Sequence, residues 1–192
     1  MANCFISSGR GHFCQGQVGG IKTIFLANWY DANKITDVTV DASTGEVSGV
    51  TTASALEFFQ FDLDRQTSSF NQTITTGGGG ALNYEQGLDV HMSHDSEKSW
   101  ARMQNVTEGV FQVIILDNNG VYYLAGVDNG ISVTGGTYAH GGDVAFTDYV
   151  GYVMQLIGSE PFPAFNLSTT SPFTAFSSDL TLSSEQYNTA QA

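Results

Sequence analysis

The histidine and cysteine side chains are the first candidates for chemistry in this sequence. The run "HMSHD" contains His91, His94 and Asp95. A zinc-protease helix carries two histidines four residues apart with a glutamate between them, and this run lacks that pattern. It also straddles the predicted end of a strand and the start of a helix. Surface and capping roles therefore explain these residues better than a metal site.

A second possible ligand set lies near the N-terminus, where Cys4, His12 and Cys14 occur within eleven residues. Structural zinc is normally enclosed by four ligands, and no fourth ligand lies nearby in the sequence. These two cysteines are the only ones in the chain. That number is too small for a secreted disulfide framework. A single bridge between the two stays open from the sequence, but we expect free thiols and no bound metal.

The remaining motifs do not predict catalysis. The glycines at 77–80 lack the Lys-Ser/Thr pair of a phosphate-binding loop and precede a strand, where that motif requires a helix. Asp117, Asn119 and Asp128 lack the spacing of a calcium loop and are explained by turn chemistry. Neither a nucleophile elbow nor a carboxylate pair is recognisable. The sequence predicts a protein that is not an enzyme and has no cofactor.

Composition predicts one folded, β-rich domain. The 192 residues are 41% hydrophobic and include 22 glycines but only 3 prolines. Lys and Arg total 6 against 19 Asp and Glu, which gives a formal net charge of −13. Phosphate backbones repel such a chain, which argues against a protein that grips nucleic acid and allows a surface that must not stick to DNA.

No apolar run approaches the length of a membrane span, and the first twenty residues lack the core of a signal peptide. We therefore expect synthesis in a cytoplasm and no membrane anchor.

The periodicity of apolar residues predicts the elements that would position any site. Seven to nine strands and one helix are expected, which favours a mainly β fold: an antiparallel β-sandwich or barrel with one packed α-helix. The expected elements are strands at 21–30, 55–63, 110–116, 121–127 and 148–158, a hairpin at 35–51, an alternating strand from Leu82 to Met92, and a helix at 95–107. The pairs Asn119-Gly120 and Asn129-Gly130 are interpreted as turns between neighbouring antiparallel strands.

Three segments fall outside this pattern. Residues 1–20 form an N-terminal arm before the β-sandwich domain at 21–165. Residues 64–82 are polar and Thr-rich and read as an extended loop or hairpin, which would need a partner because an isolated ribbon is marginal in water. The C-terminal extension at 166–192 is rich in Ser and Thr but keeps Phe173 and Phe176, so we expect it to dock on the domain or on a neighbour.

Several stretches together resemble phage tail tube proteins, especially those of phages and prophages of Bacteroidetes bacteria. The stretches are "GGIKTIFLANWYD" (19–31), "ITDVTVDASTGEVSGV" (35–50), "FFQFDLDRQTSSFNQTIT" (58–75), "NYEQGLDVHM" (83–92), "VIILDNNGVYYLAGVDNGISVTGGT" (113–137) and "GYVMQLIGSEPFPAF" (151–165). The resemblance covers nearly everything from 19 to 165, and it rests on the order and spacing of the pieces. The arm at 1–18 and the extension at 166–192 have no counterpart in it.

The resemblance implies a virion structural protein of the tail. Its copies would form hexameric rings that stack into a tube, and DNA would pass during ejection without specific binding. The partners would be further copies of the chain and other tail proteins of the terminator, baseplate and sheath classes. An acidic lumen would let DNA slide, because repulsion denies it a binding minimum.

Two sets of residues are assigned on this interpretation. We expect the extension at 64–82 to reach the adjoining ring and the C-terminal aromatic residues to contact a neighbour. The inter-subunit set is Arg65, Thr67, Phe70, Thr73, Thr75, Gly78, Leu82, Phe173 and Phe176. The acids assigned to the lumen, from their predicted places at strand ends, are Asp62, Asp64, Asp143 and Asp148.

Other functions stay open from the sequence. One is a different virion ring, such as a connector at the head–tail junction or a baseplate component. Another is the tube of a contractile injection system. A third class is a carbohydrate-binding β-sandwich, in which an aromatic residue such as Trp29 or Tyr123 would provide an exposed platform.

Overall fold

The structure is a computed structural model that describes residues 18–30, 32–64, 66–77, 80–93, 97–140 and 150–184. The chain is mainly β, as predicted, and its arrangement is consistent with a β-sandwich. The strands are β1 (Ile21–Asn28), β2 (Ile35–Val40), β3 (Val47–Thr52), β4 (Leu56–Asp62), β5 (Ser69–Thr76), β6 (Leu82–Ser93), β7 (Val110–Asp117), β8 (Tyr122–Ala125), β9 (Ile131–His140), β10 (Val150–Glu160), β11 (Phe165–Ser168) and β12 (Leu180–Leu182). The helices are α1 (Glu97–Glu108) and the single turn α2 (Pro172–Ala175).

Ten of the strands form one sheet in the order β12-β4-β1-β7-β9-β10-β6-β5, from which β8 and β11 branch at β7. Strands β2 and β3 pair separately as the predicted hairpin. All neighbours run antiparallel except β12, which lies parallel to β4. The sheet is therefore mainly antiparallel, as expected, with one parallel pair: after α2 the chain returns to β4 and runs alongside it in the same direction.

The branch arises because two strands share one edge of β7. Val113–Leu116 pair with β8, whereas Val110 and Phe111 pair with the start of β9. The intervening loop at 126–130, which we call the branch loop, therefore does not close a hairpin. The prediction for Asn119-Gly120 is confirmed, since that turn joins the paired strands β7 and β8. The prediction for Asn129-Gly130 is wrong, because β8 and β9 diverge from it into different parts of the fold.

Alternating side chains of the central strands enter two separate cores. On β1, Ile24 and Leu26 face the first core, whereas Phe25 and Ala27 face the second. The first core also receives side chains from β6, β7, β9 and β10 and, from α1, Met103 and Val106. The second core lies under β2, β3 and the C-terminal elements. A strand covered on both faces carries apolar residues at nearly every position, which explains the continuous apolar run of β1.

The segment between β4 and β5 connects β6 with β1, two strands that are not neighbours in the main sheet. The Leu63 amide donates to the Lys22 carbonyl oxygen at 3.0 Å, and the Asp64 amide donates to the His91 carbonyl oxygen at 2.9 Å. The Ile21 amide donates to the Ser68 carbonyl oxygen at 3.2 Å. Through these bonds the segment from 63 to 68 connects β6 to β1 around the first core.

The elements after 165 join this fold. Strand β11 pairs with β8, and Leu167 and Leu180 are buried in the second core. Strand β9 at 131–140 was not among the predicted strands. Helix α1 is described from Glu97, within the predicted 95–107, and ends one residue after the predicted 107. No helix among the described residues has the length and apolar character needed to cross a membrane.

We expect the two loop glycines Gly126 and Gly120 to differ in their tolerance of alanine. Both have positive φ, at +69° and +85°, but a Cβ on Gly126 would lie 2.9 Å from the Phe111 carbonyl oxygen, whereas one on Gly120 meets nothing within 4 Å. Gly120→Ala should lower the free energy of unfolding by about 1 kcal/mol, the cost of a left-handed backbone. Gly126→Ala should cost about 2–4 kcal/mol, because the overlap is added. Urea denaturation measures both, and equal losses would show that the branch loop is not close-packed.

Candidate subunit interface

The hairpin formed by β5 and β6 carries the most exposed strand of the main sheet. Residues 69–76 pair with 82–89, and β5 is the last strand in the sheet order. Every side chain from Asn71 to Thr76 is exposed. An edge strand of this length offers free backbone groups to another chain, and proteins usually blunt such edges with charges, prolines or bulges. Strand β5 contains neither a charge nor a proline.

The apolar stripe of this hairpin continues beyond the core that it covers. Phe70 and Leu88 lie opposite each other and pack on the first core. Further along the same face, Ile74 lies opposite Tyr84 and is 62% exposed. Leu82 is 55% exposed. The end of the hairpin thus presents apolar side chains that the subunit itself does not cover.

The loop at 161–164 lies against the same hairpin. The Gln86 Nε2 donates to the Phe162 carbonyl oxygen at 3.2 Å, and the Ala164 amide donates to the Gln72 Oε1 at 3.0 Å. The Phe162 side chain is 58% exposed and stands between two prolines, which restrict its backbone. We call residues 69–77, 80–84 and 161–164 together the hairpin surface.

The hairpin surface carries no charge. Residues 66–84 and 161–178 contain no Asp, Glu, Lys or Arg, although the whole chain has a net charge of −13. Acidic copies repel one another wherever their charged faces meet. An uncharged surface with exposed apolar side chains is where two copies can approach most closely.

Two buried polar side chains, Glu160 and Gln86, fix the loop beside this surface. The Glu160 Oε1 accepts hydrogen bonds from the amides of Asn129 and Gly130, at 2.9 and 3.1 Å, and its Oε2 accepts one from the Asp128 amide at 3.0 Å. The Gln86 Oε1 accepts from the Gly126 amide at 3.0 Å. These bonds give the branch loop acceptors that a paired strand would otherwise supply.

A third buried polar side chain, Gln112, anchors the same loop from β7. The Gln112 Nε2 donates to the Val127 carbonyl oxygen at 3.1 Å, and the Gln112 Oε1 accepts from the Ile35 amide at 3.3 Å. Throughout the part of the chain that the structure describes, every buried side-chain nitrogen and oxygen has a hydrogen-bond partner.

Burial controls the acidity of Glu160. The side chain is 3% exposed, and loss of hydration raises the pKa of its carboxyl group. The three amide donors act in the opposite direction without cancelling that effect, and the nearby Asp128 charge adds to it. Sequence reasoning assigned no role to Glu160. The sequence does place Glu160 directly after an apolar strand, and Gln86 and Gln112 lie within apolar strands. A polar residue at such a position is the feature that could have indicated a buried polar contact.

The residues assigned to the subunit interface lie in different environments. Thr67, Thr73, Thr75 and Leu82 are exposed, and the last three belong to the hairpin surface. Phe70 is half-buried on the first core. Arg65 and Gly78 lie outside the described residues.

The C-terminal aromatic residues pack inside the subunit. The Phe173 ring lies 4.9 Å from that of Phe25 and 5.7 Å from that of Phe58, centroid to centroid. Phe176 packs on the same core, and both are half-buried. Only part of each ring is therefore open to a neighbour.

The acids assigned to a lumen are described in part. Asp62 is exposed and accepts hydrogen bonds from the Thr23 hydroxyl at 3.1 Å and the Gln60 amide at 3.0 Å. Asp64 accepts one from the Ser93 hydroxyl at 2.7 Å. Asp143 and Asp148 lie outside the described residues.

The candidate metal ligands are described only in small part. Cys4, His12, Cys14, His94 and Asp95 lie outside the described residues. Within the described ranges, no three His, Cys, Asp or Glu side chains could share a metal ion.

Trp29 and Tyr123, the candidate aromatic platforms, are both half-buried. The Trp29 Nε1 donates to the Val127 carbonyl oxygen at 3.2 Å, and Tyr123 packs against the first core. The structure therefore offers little support for an aromatic platform at these two residues.

Comparison of the chain with protein-family models gave no match, and comparisons with curated proteins and with solved structures gave none either.

We expect Glu160→Gln to destabilise the protein by about 1–3 kcal/mol near neutral pH, because a neutral amide with one oxygen leaves part of the three-amide cluster without an acceptor. Glu85→Gln is the matched control: Glu85 is exposed on β6, and its replacement should change the free energy of unfolding by no more than about 0.5 kcal/mol. Urea denaturation compares the two variants.

The difference between the wild type and Glu160→Gln should also depend on pH. Because the pKa of Glu160 is raised in the folded state, the folded protein binds the proton more tightly than the unfolded chain. Lowering the pH from about 7 to about 5 should therefore stabilise the wild type relative to the variant and widen the gap. A gap that narrows over this range would contradict the raised pKa.

Proposed function

We propose that this protein is a structural subunit of a phage tail tube, which assembles from many copies of the chain and conducts DNA without binding it. The observation that carries the proposal is the hairpin surface, a long edge strand free of charge with exposed apolar side chains. The mainly β fold and the sequence resemblance support the same function.

Assembly into a closed ring requires two different surfaces on each copy. Strands β5 and β12 lie at opposite ends of the main sheet order, and Leu182 on β12 is 42% exposed. Pairing of β5 in one copy with the β12 edge of the next would continue the sheet between neighbours. The hairpin end, with Ile74 and Leu82, would then contact the adjoining ring.

The charge of the chain fits the passage of DNA. A net charge of −13 per copy gives an assembled tube a strong negative field. Such a field opposes adsorption of a phosphate backbone to the wall. We place Asp62 and Asp64 among the acids of the channel, in keeping with their positions at the end of β4.

The tube proposal predicts hollow filaments of uniform width in electron micrographs of the concentrated protein. Ile74→Asp and Leu82→Asp should each raise the concentration needed for filaments by at least about tenfold, because each loses the burial of one aliphatic side chain and adds a charge. Both side chains are exposed in the subunit, so its thermal unfolding should change little.

Val40→Asp provides the control, since Val40 is also apolar and 41% exposed but lies on β2, which pairs with β3 and is not part of the hairpin surface. This variant should form filaments like the wild type. Isolated rings from the wild-type protein would instead favour a connector. A wild type that remains a monomer of 20.5 kDa at every concentration would refute self-assembly altogether.

A further inference from the structure

A small acidic groove lies next to the hairpin surface. It has a volume of about 260 Å³ and is bordered by β2, the branch loop and the segment that follows β10. Its apolar lining includes Val38, Phe162 and Phe165, and its exposed acids are Asp37 and Asp128. Lys34 also contacts the branch loop, with its Nζ 3.4 Å from the Asp128 carbonyl oxygen, and offsets part of this charge.

The groove is smaller than the clefts of roughly 300–1,000 Å³ that enclose small-molecule ligands. Its size and lining suit one or two side chains of a peptide, with an aromatic ring in the apolar part and a cation near the acids. A segment that fits must therefore be apolar in places, basic and free of acids.

The N-terminal arm of this chain has that composition. The first acid of the sequence is Asp31, so residues 1–17 carry none. The arm contains Phe5, Phe13 and Arg10, in a chain with only 6 Lys and Arg in total. Its charge is thus opposite to that of the groove, and all 19 Asp and Glu lie in the rest of the chain.

Hydrogen bonds to the turn before β8 fix the residues that precede β1. The arm therefore leaves the subunit at the opposite end of β8 from the groove. The Val18 amide donates to the Asn119 Oδ1 at 3.0 Å, and the Asn119 Nδ2 donates to the Val18 carbonyl oxygen at 2.8 Å. The Asn118 Nδ2 donates to the Gly19 carbonyl oxygen at 2.8 Å. The turn with Asn118 and Asn119 precedes β8, whereas the branch loop that borders the groove follows it.

We propose that the groove binds residues 1–17 of the N-terminal arm of a neighbouring copy. This inference rests on the proposed self-assembly. Copies that follow one another along the direction of β8 would bring the arm's exit on one subunit towards the groove on the next. Seventeen residues can span up to about 55 Å, against a radius of gyration of about 16 Å for a domain of this length, so the arm can reach a neighbour.

The native cysteines of the arm allow a direct test in the full-length protein. Thr36 is exposed and lines the groove, so Thr36→Cys in a Cys4→Ser background leaves one thiol in the groove and Cys14 in the arm. Mild oxidation should link neighbouring copies into a ladder of dimers, trimers and larger species on a non-reducing gel. Arm-to-arm disulfides stop at dimers when each copy has only one arm thiol. A ladder in which mass spectrometry identifies peptides that join Cys14 to the introduced groove thiol therefore reports arm-to-groove contact between copies.

Thr174→Cys in the same background is the matched control, because Thr174 is exposed on α2 and is not among the groove's lining residues. It should form at least about fivefold less ladder at equal times. Arg10→Glu should slow ladder formation by about two- to fivefold, the effect of an exposed ion pair, whereas Arg10→Lys should preserve the rate.

Two results would overturn the arm proposal: equal ladders from the two cysteine variants, or a disulfide between Cys14 and the groove thiol that is confined to monomers. Electron microscopy of the reduced proteins tests filament formation, and hence the proposed function, independently of the disulfide ladder. Filaments without a specific ladder leave the tube standing and refute the arm contact. A specific ladder without filaments supports the contact and counts against the tube.

Discussion

The capture of three backbone amides by the Glu160 carboxylate is the interaction on which the architecture depends. Strands β8 and β9 both pair with one edge of β7 and then separate, so the loop between them cannot satisfy its amides within a hairpin. An unpaired buried amide costs about as much as a lost hydrogen bond. The buried carboxylate removes that cost at Gly130 and also accepts from the partly buried amides of Asp128 and Asn129. Because the branch is satisfied in this way, one sheet can cover two separate cores.

The same polar group determines where the exposed surfaces lie. Glu160 ends β10, and the loop that follows carries Phe162 directly onto β6. Gln86 bonds the branch loop through its oxygen and the 161–164 loop through its nitrogen, so one side chain sets the separation of the two loops. The groove lies between these loops. It borders the hairpin surface, because Phe162 and Pro163 belong to both. A change in the branch loop would therefore move both surfaces.

The parts of the fold that depend on neighbouring residues in the chain could be predicted from the sequence. The β2–β3 hairpin and the Asn119-Gly120 turn are local, and alternation over Leu82–Met92 identified β6. Strand β9 was missed because Gly135 and Gly136 resemble a loop. A Cβ on Gly136 would lie 2.6 Å from the Val153 carbonyl oxygen, so β10 requires glycine there. Such close approaches depend on distant partners, as does the pairing of β12 with β4, more than a hundred residues earlier.

The exposed ribbon of the candidate interface could be predicted from the sequence, whereas the buried polar contacts beside it could not. The polar composition and glycines of residues 64–82 indicate an exposed ribbon, and the structure describes β5 as an edge strand whose side chains are almost all in solvent. The role of Glu160 could not be inferred, because a glutamate after an apolar strand is typical of a strand end at the surface. Only the three-dimensional course of the 126–130 loop shows that this carboxylate is surrounded by donors.

Charge distribution connects the fold to the proposed assembly. Copies that each carry a net charge of −13 remain apart unless the surfaces that meet are neutral or of opposite sign. This chain has both kinds of surface: an uncharged hairpin surface, and a basic arm that complements an acidic groove. In the proposed assembly, the neutral face would let sheets approach without repulsion, and the oppositely charged pair would distinguish one orientation of the neighbour from the reverse. Acidic residues elsewhere would oppose other contacts, so the charge that hinders association in general would also select the direction in which copies add.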